Sequence, residues 1–149
     1  MKVEFVLNGK AVTSCVRSTD MLVDMIRGLG LTGTKEACGV GVCGVCAVIV
    51  DGAPVSSCIF LAGCADGADI QTVEGITAAD QRLRDAFIEH EGFQCGICTP
   101  GQVVTAYALR QANRDADEDE IREFMAGSLC RCTGYNTILA SVEAYLAAE

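Results

Sequence analysis

The sequence is short of the residues that recognise phosphate. Eleven lysines and arginines stand against twenty aspartates and glutamates, a formal charge of −9 that excludes nucleic acid and anionic membrane as partners. There is a single histidine, His90, so any centre that needs two imidazole ligands is excluded. Its place near a predicted helix end marks it as a surface residue or C-terminal cap. No apolar run approaches the roughly 18 residues that cross a bilayer. Met1 to Leu7 alternates like a strand, without the basic-then-apolar design of a signal peptide, so a cytoplasmic protein is expected.

Half of the residues are apolar and 21% are charged, which predicts a folded chain. A length of 149 residues suits one ordinary domain or two small ones with thin cores. The outlying feature is ten cysteines. Thiols at that density in a reducing compartment hold metal more often than they pair as disulfides.

Periodicity divides the chain into α+β halves, 1–76 and 77–149. Lys2 to Leu7 and Lys10 to Val16 alternate about Asn8-Gly9, a hairpin signal. Ser18, Thr19 or Asp20 can cap a helix carrying Leu22, Val23, Ile26 and Leu29. The glycine-rich stretch Ala37 to Gly44 leads to an apolar run, Cys46 to Val50, that ends at a second hairpin signal, Asp51-Gly52, and a last strand is expected over Asp69 to Val73. From about Thr77 the period becomes helical, with helices predicted at Ala78 to His90, Pro100 to Gln111, Asp119 to Met125 and Thr137 to Ala147. Thr99 and Asn136 are candidate caps, and Asp117 with Glu120 matches a capping box.

Cys38, Cys43, Cys46 and Cys58 have four, two and eleven residues between them, the first three in the plant-type ferredoxin spacing for a 2Fe-2S cluster. Gly39, Gly41 and Gly44 let that loop take positive φ and turn N–H groups toward sulfur. Cys95, Cys98, Cys130 and Cys132 form a second set, with two, thirty-one and one residues between them. Four cysteines equally suit a structural zinc, in the second set or in both, although two complete sets favour two 2Fe-2S clusters. Cys15, in a strand, and Cys64, in an apolar stretch, read as small buried hydrophobes.

The run Ala37-Cys38-Gly39-Val40-Gly41-Val42-Cys43-Gly44-Val45-Cys46, then Asp66-Gly67, Thr72-Val73-Glu74-Gly75, Gln94-Cys95-Gly96-Ile97-Cys98-Thr99-Pro100-Gly101 and Cys130-Arg131-Cys132-Thr133-Gly134-Tyr135, closely resembles the small iron–sulfur subunit of the xanthine oxidase family of molybdenum hydroxylases, of the aerobic carbon monoxide dehydrogenase type. The resemblance runs over essentially the whole chain. It implies a β-grasp, plant-type ferredoxin domain followed by a four-helix bundle holding the second cluster. It further implies partners: a large catalytic subunit with molybdopterin cytosine dinucleotide beside the second cluster, and a medium FAD subunit nearer the first, assembled as αβγ or its dimer. Electrons would pass from substrate through molybdenum, the second cluster and the first cluster to flavin or another acceptor. No catalytic residue would lie in this chain. Gln94 matches the family glutamine that hydrogen-bonds the pterin. Ala37 and Val42 depart from the family, which commonly has glycine and a polar residue there.

A freestanding two-cluster ferredoxin is the alternative within redox chemistry, and a zinc-stabilised interaction module the alternative outside it. The substrate is chosen on another polypeptide; an N-heterocycle is the expectation. Because each half has a small core, iron loss is expected to unfold much of the chain.

Overall fold

The first strands form because alternate residues can share one apolar face. In a computed structural model, which describes residues 1–148, β1 (Lys2–Leu7) buries Val3, Phe5 and Leu7 and exposes Lys2, Glu4 and Val6. It turns at Asn8-Gly9, both at positive φ, into antiparallel β2 (Lys10–Cys15). A second such turn, Asp51-Gly52, joins β3 (Ala47–Val50) to β4 (Ala53–Ser56). The short β5 (Asp69–Gln71) lies parallel to β1 and antiparallel to β3, which gives a five-stranded sheet in the order β2-β1-β5-β3-β4. Helix α1 (Leu22–Gly28) lays Leu22, Met25 and Ile26 on the face bearing Val3, Phe5, Ile70, Val48 and Val50.

β3 is buried on both faces. Val48 and Val50 join the α1 core, while Ala47 and Ile49 join a larger core made with the helices that follow. These are α2 (Val73–Ala79), α3 (Gln81–Glu89), α4 (Thr99–Ala112), α5 (Glu118–Met125) and α6 (Asn136–Ala147). α4 packs on β3, and α3 to α6 enclose Leu83, Phe87, Val104, Leu109, Ile138, Val142 and Tyr145. The sheet with one helix, followed by the helical bundle, is the α+β arrangement expected. The last residue of the second expected half, Glu149, lies outside the described residues.

Local details differ from the sequence expectations. The segment 69–73 is shorter as a strand, because Val73 already opens α2. The helix predicted over Ala78 to His90 is two helices broken at Asp80, whose φ of −124° and ψ of 93° are extended. Neither Thr99 nor Asn136 caps: Cys98 and Tyr135 hold those positions without a side-chain cap bond, and the Thr99 hydroxyl is buried with no partner. Met21 takes the cap position of α1, also without a side-chain cap bond, because Asp20 turns back to accept from the Arg17 backbone and guanidinium. Asp117 and Glu120 do form a capping box, and His90 ends α3. Cys15 and Cys64 are exposed, not buried. Cys15 falls on the outward register of edge strand β2, and Cys64 lies in a short 3-10 turn (Ala62–Ala65) whose alanines face inward.

Asp80 repays its helix break by capping. Its carboxylate accepts the Arg82 N–H at 3.2 Å and the phenol of fully buried Tyr145 at 3.0 Å. Burial pushes the Asp80 carboxyl up, but Arg82 and the Tyr145 phenol outweigh it and hold the group below its ordinary value. A depressed carboxylate stabilises the fold above its unfolded pKa and ceases to do so as pH falls through the folded one. Asp80→Ala removes a cap and orphans a buried hydroxyl, an expected loss of about 2–3 kcal/mol at neutral pH. Urea unfolding should show that gap constant from about pH 8 to about pH 5, since the carboxylate stays ionised there; a gap that changes within the interval would contradict the assignment.

Candidate metal centres

Residues 29–46, between α1 and β3, contain no strand or helix. Their shape is set by backbone turns at Gly39, Gly41 and Gly44, with φ of +66°, +75° and +70°. The turns aim N–H groups at sulfur: Val40 N–H donates to Cys38 Sγ at 3.5 Å, and the Cys43 and Val42 N–H groups reach the same atom. These donors, Val40 first, pull the Cys38 thiol down to about 6. Cys58 enters from beyond β4 and is pushed up to about 11 by burial and by the Cys46 thiol beside it, while Gly41 N–H donates to it. The four thiols thus meet in twos, Cys38 with Cys43 and Cys46 with Cys58. Cys46 and Cys58 are buried against Val23 of α1, and Cys38 is half-buried.

The second set gathers at one end of the helices. Cys98 occupies the N-cap of α4, Cys95 lies three residues before it, and Cys130 and Cys132 come from the loop between α5 and α6. Again the thiols pair. Cys95 and Cys132 sulfurs are 3.4 Å apart, and Cys98 contacts Cys130. Burial, with the Cys130 thiol, pushes Cys98 up to about 12. Cys130 is also pushed up by burial, yet the Thr133 hydroxyl at 3.2 Å and the N–H groups of Thr133 and Cys132 bring it down to about 7. The Ile97 N–H lowers Cys95, and the Cys95 thiol raises Cys132. A cavity of about 510 Å³ is lined by these four cysteines with Val45, Ile97, Leu129, Arg131 and Tyr135.

The donor chemistry discriminates between metals. A tetrahedral zinc needs four ligands around one point, whereas a two-iron centre needs two thiolates on each iron. Among the described residues no three or more His, Cys, Asp or Glu side chains close on one ion position, and the thiols of both sets approach in twos. Both donor sets fit a 2Fe-2S cluster.

The two sites touch through backbone. Leu129 N–H donates to the Cys43 carbonyl at 2.9 Å, so one hydrogen bond and one peptide unit separate a cysteine of one set from Cys130 of the other. Gln102, fully buried on α4, donates to the Ser128 carbonyl at 2.6 Å, and Thr105 meets the Ser128 hydroxyl at 2.9 Å. Sequence reasoning passes over these residues; Tyr135 is legible there only as the end of the Cys130 motif, and it sits at φ +71° with its phenol accepting the Cys130 N–H at 3.0 Å. A non-glycine left-handed residue has no reliable sequence signal. Gln94 is exposed next to exposed Cys95, and the departures Ala37 and Val42 are exposed as well.

Comparison with known proteins bears on the whole chain. The 2Fe-2S iron–sulfur cluster binding domain family matches residues 5–72, and the 2Fe-2S binding domain family matches residues 72–143. The chain is 46% identical to the nicotinate dehydrogenase small FeS subunit of Eubacterium barkeri, over 91% of this chain and 88% of that one. It is 41% identical to the nicotine 6-hydroxylase small subunit of Paenarthrobacter nicotinovorans, over 95% and 87%. Quinoline 2-oxidoreductase from Pseudomonas putida 86 superposes with a TM-score of 0.93 at 42% identity, covering 98% of this chain and 93% of that one.

Proposed function

Because this chain belongs to the small iron–sulfur subunits of the xanthine oxidase family of molybdenum hydroxylases, we propose that Cys38, Cys43, Cys46 and Cys58 hold one 2Fe-2S cluster and Cys95, Cys98, Cys130 and Cys132 the other. The chain is an electron-transfer subunit of a multi-subunit oxidoreductase, and the clusters supply its one-electron chemistry. The observation that carries the ligand assignment is the pairing of thiols, two and two, at both sites. The functional boundary falls near residue 76, with a ferredoxin-like unit over 1–76 and a helical unit over 77–149. The protein works in the cytoplasm.

The orientation of the subunit is the one its family resemblance implies, and exposed apolar side chains at both sites are compatible with it. Val40, Val42 and Ile59, 65%, 64% and 57% exposed, stand around the first site, and Phe93, Ile97 and Leu129 are exposed around the second. Apolar side chains left in water beside a metal centre favour protein docking there. The second site faces the large subunit with molybdopterin cytosine dinucleotide, and exposed Gln94 offers an amide that can donate to and accept from a pterin edge. The first site faces the FAD subunit. An N-heterocyclic substrate is supported by relatives named for nicotinate, nicotine and caffeine, and by the quinoline enzyme.

Metal and flavin analysis of the assembly purified anaerobically with this chain tests the reading. The expected result is four irons and one molybdenum per chain, with FAD. Four irons on a solitary chain without molybdenum would instead make it a freestanding ferredoxin. Gln94→Ala should slow reduction of the iron–sulfur centres by substrate roughly tenfold, as loss of an outer-shell partner does elsewhere, while leaving iron content unchanged. Stopped-flow bleaching at unaltered rate, with molybdenum retained, would take Gln94 out of the site.

A further inference from the structure

Lys35 belongs to the loop that leads to the first cysteine set, yet its ammonium is spent on the second. Its Nζ donates to the Gly96 carbonyl at 3.0 Å, between Cys95 and Cys98, and the side chain is half-buried. The loop that delivers it is held on both sides. Arg27 donates to the carbonyls of Thr32 at 3.2 Å and Thr34 at 2.8 Å, and Gly33 N–H donates to Glu74 Oε1 at 2.8 Å. Thr34 itself is 1% exposed. Gly96 turns at φ +81°, which presents its carbonyl to this cation.

Among the described residues no carboxylate forms an ion pair with this ammonium. The ion pairs of the described residues join other cations to carboxylates, and the hydrogen-bond acceptor of Lys35 among them is the Gly96 carbonyl. Holding a half-buried ammonium against a neutral carbonyl costs free energy unless an anion lies near. Four thiolates around a two-iron core carry a formal charge of about −2, and one more when reduced. Arg131 lines the cavity of the four cysteines but is exposed, where water and salt screen it.

We propose that Lys35 is a positioning residue of the second site: it ties the ferredoxin-like unit to the Cys95–Cys98 loop and, by its charge, favours the reduced form of the cluster held there. The inference rests on the cluster assignment above. A fixed cation interacts more strongly with the more negative state, so its removal disfavours reduction.

The test is an EPR-monitored redox titration of the native assembly carrying Lys35→Met, Lys35→Arg or the unaltered chain, with Cys132→Ser identifying the signal of the second site. Lys35→Met should shift the reduction equilibrium of that signal about tenfold toward oxidised, which is 59 mV for one electron. The first signal should move less than about twofold, and Lys35→Arg should restore the second to within about twofold of its original value. If the methionine variant loses iron, Lys35→Gln, which keeps a donor without the charge, should give the same shift. An unmoved second signal at full iron content, a shift of both signals together, or failure of arginine to restore would each overturn the proposal. Absence of 2Fe-2S signals from the unaltered assembly would instead refute the cluster assignment itself.

Discussion

Gly101→Ala is expected to strip iron from the second site and to destabilise the chain by at least about 3 kcal/mol, although alanine is the better helix former. Gly101 is the third residue of α4, and in an open helix the exchange would stabilise by up to about 1 kcal/mol. Here a Cβ would stand 2.3 Å from the Gly44 carbonyl oxygen and 3.1 Å from the Val45 Cα. Those neighbours are backbone, so no side-chain rotation relieves the clash. Gly44 cannot retreat, because its own Cα faces the Gly127 carbonyl so closely that a Cβ there would lie 2.4 Å from it. The three chain segments carrying Cys43, Cys98 and Cys130 are therefore in backbone contact, and widening one gap breaks the Leu129 to Cys43 hydrogen bond that joins the two sites. Iron assay and thermal unfolding of the variant check this. Gly101→Ala with four irons and an unchanged midpoint would show that the segments can separate without cost.

Both glycines stand in motifs whose spacing is legible, and so is the turn at Gly44, but the close approach of the two is not. Loop glycines near cysteines signal turns toward sulfur, which is a local matter of φ; the approach of Gly101 to Gly44 joins residues far apart in sequence, and no periodicity encodes it. The same divide runs through the fold. Asn8-Gly9, Asp51-Gly52 and the Asp117/Glu120 box depend on neighbours a few residues away, and each forms as the sequence predicts. The break at Asp80 was illegible because the long helical period of 78–90 continues through it; what decides it is Tyr145, which reaches Asp80 from α6. Neither a strand position for Cys15 nor an apolar stretch for Cys64 ensures burial, because register on an edge strand and the small face of a short turn put them in water. Lys35 is a lone lysine in sequence and becomes informative only when Gly96 lies beside it.

Removing iron should have the other large effect, and its shape differs from the unfolding expected of two thin cores. Residues 37–44 bury little apolar surface, since Val40 and Val42 point into water. Fixing each backbone residue costs about 1–2 kcal/mol, so these loop residues need a compensating interaction that hydrophobic burial does not provide. In the metal-bound protein the proposed thiolate–iron bonds would supply that interaction, aided by the N–H groups aimed at sulfur. The cores do not share this dependence. β3 contributes to both, with Val48 and Val50 on one face and Ala47 and Ile49 on the other, so sheet and helices are held together by apolar contact as well as by metal. Anaerobic chelation is therefore expected to lower stability by several kcal/mol, a midpoint drop of roughly 10 °C or more, while most far-UV ellipticity survives below the new midpoint. Hydrogen exchange should locate the damage: protection is lost first at Val40, Gly41 and Cys43 and at Ile97 and Leu129, and last in β1 and in the middle of α4. Simultaneous loss at all of these positions would mean that iron, and not the shared face of β3, is what keeps the two halves folded.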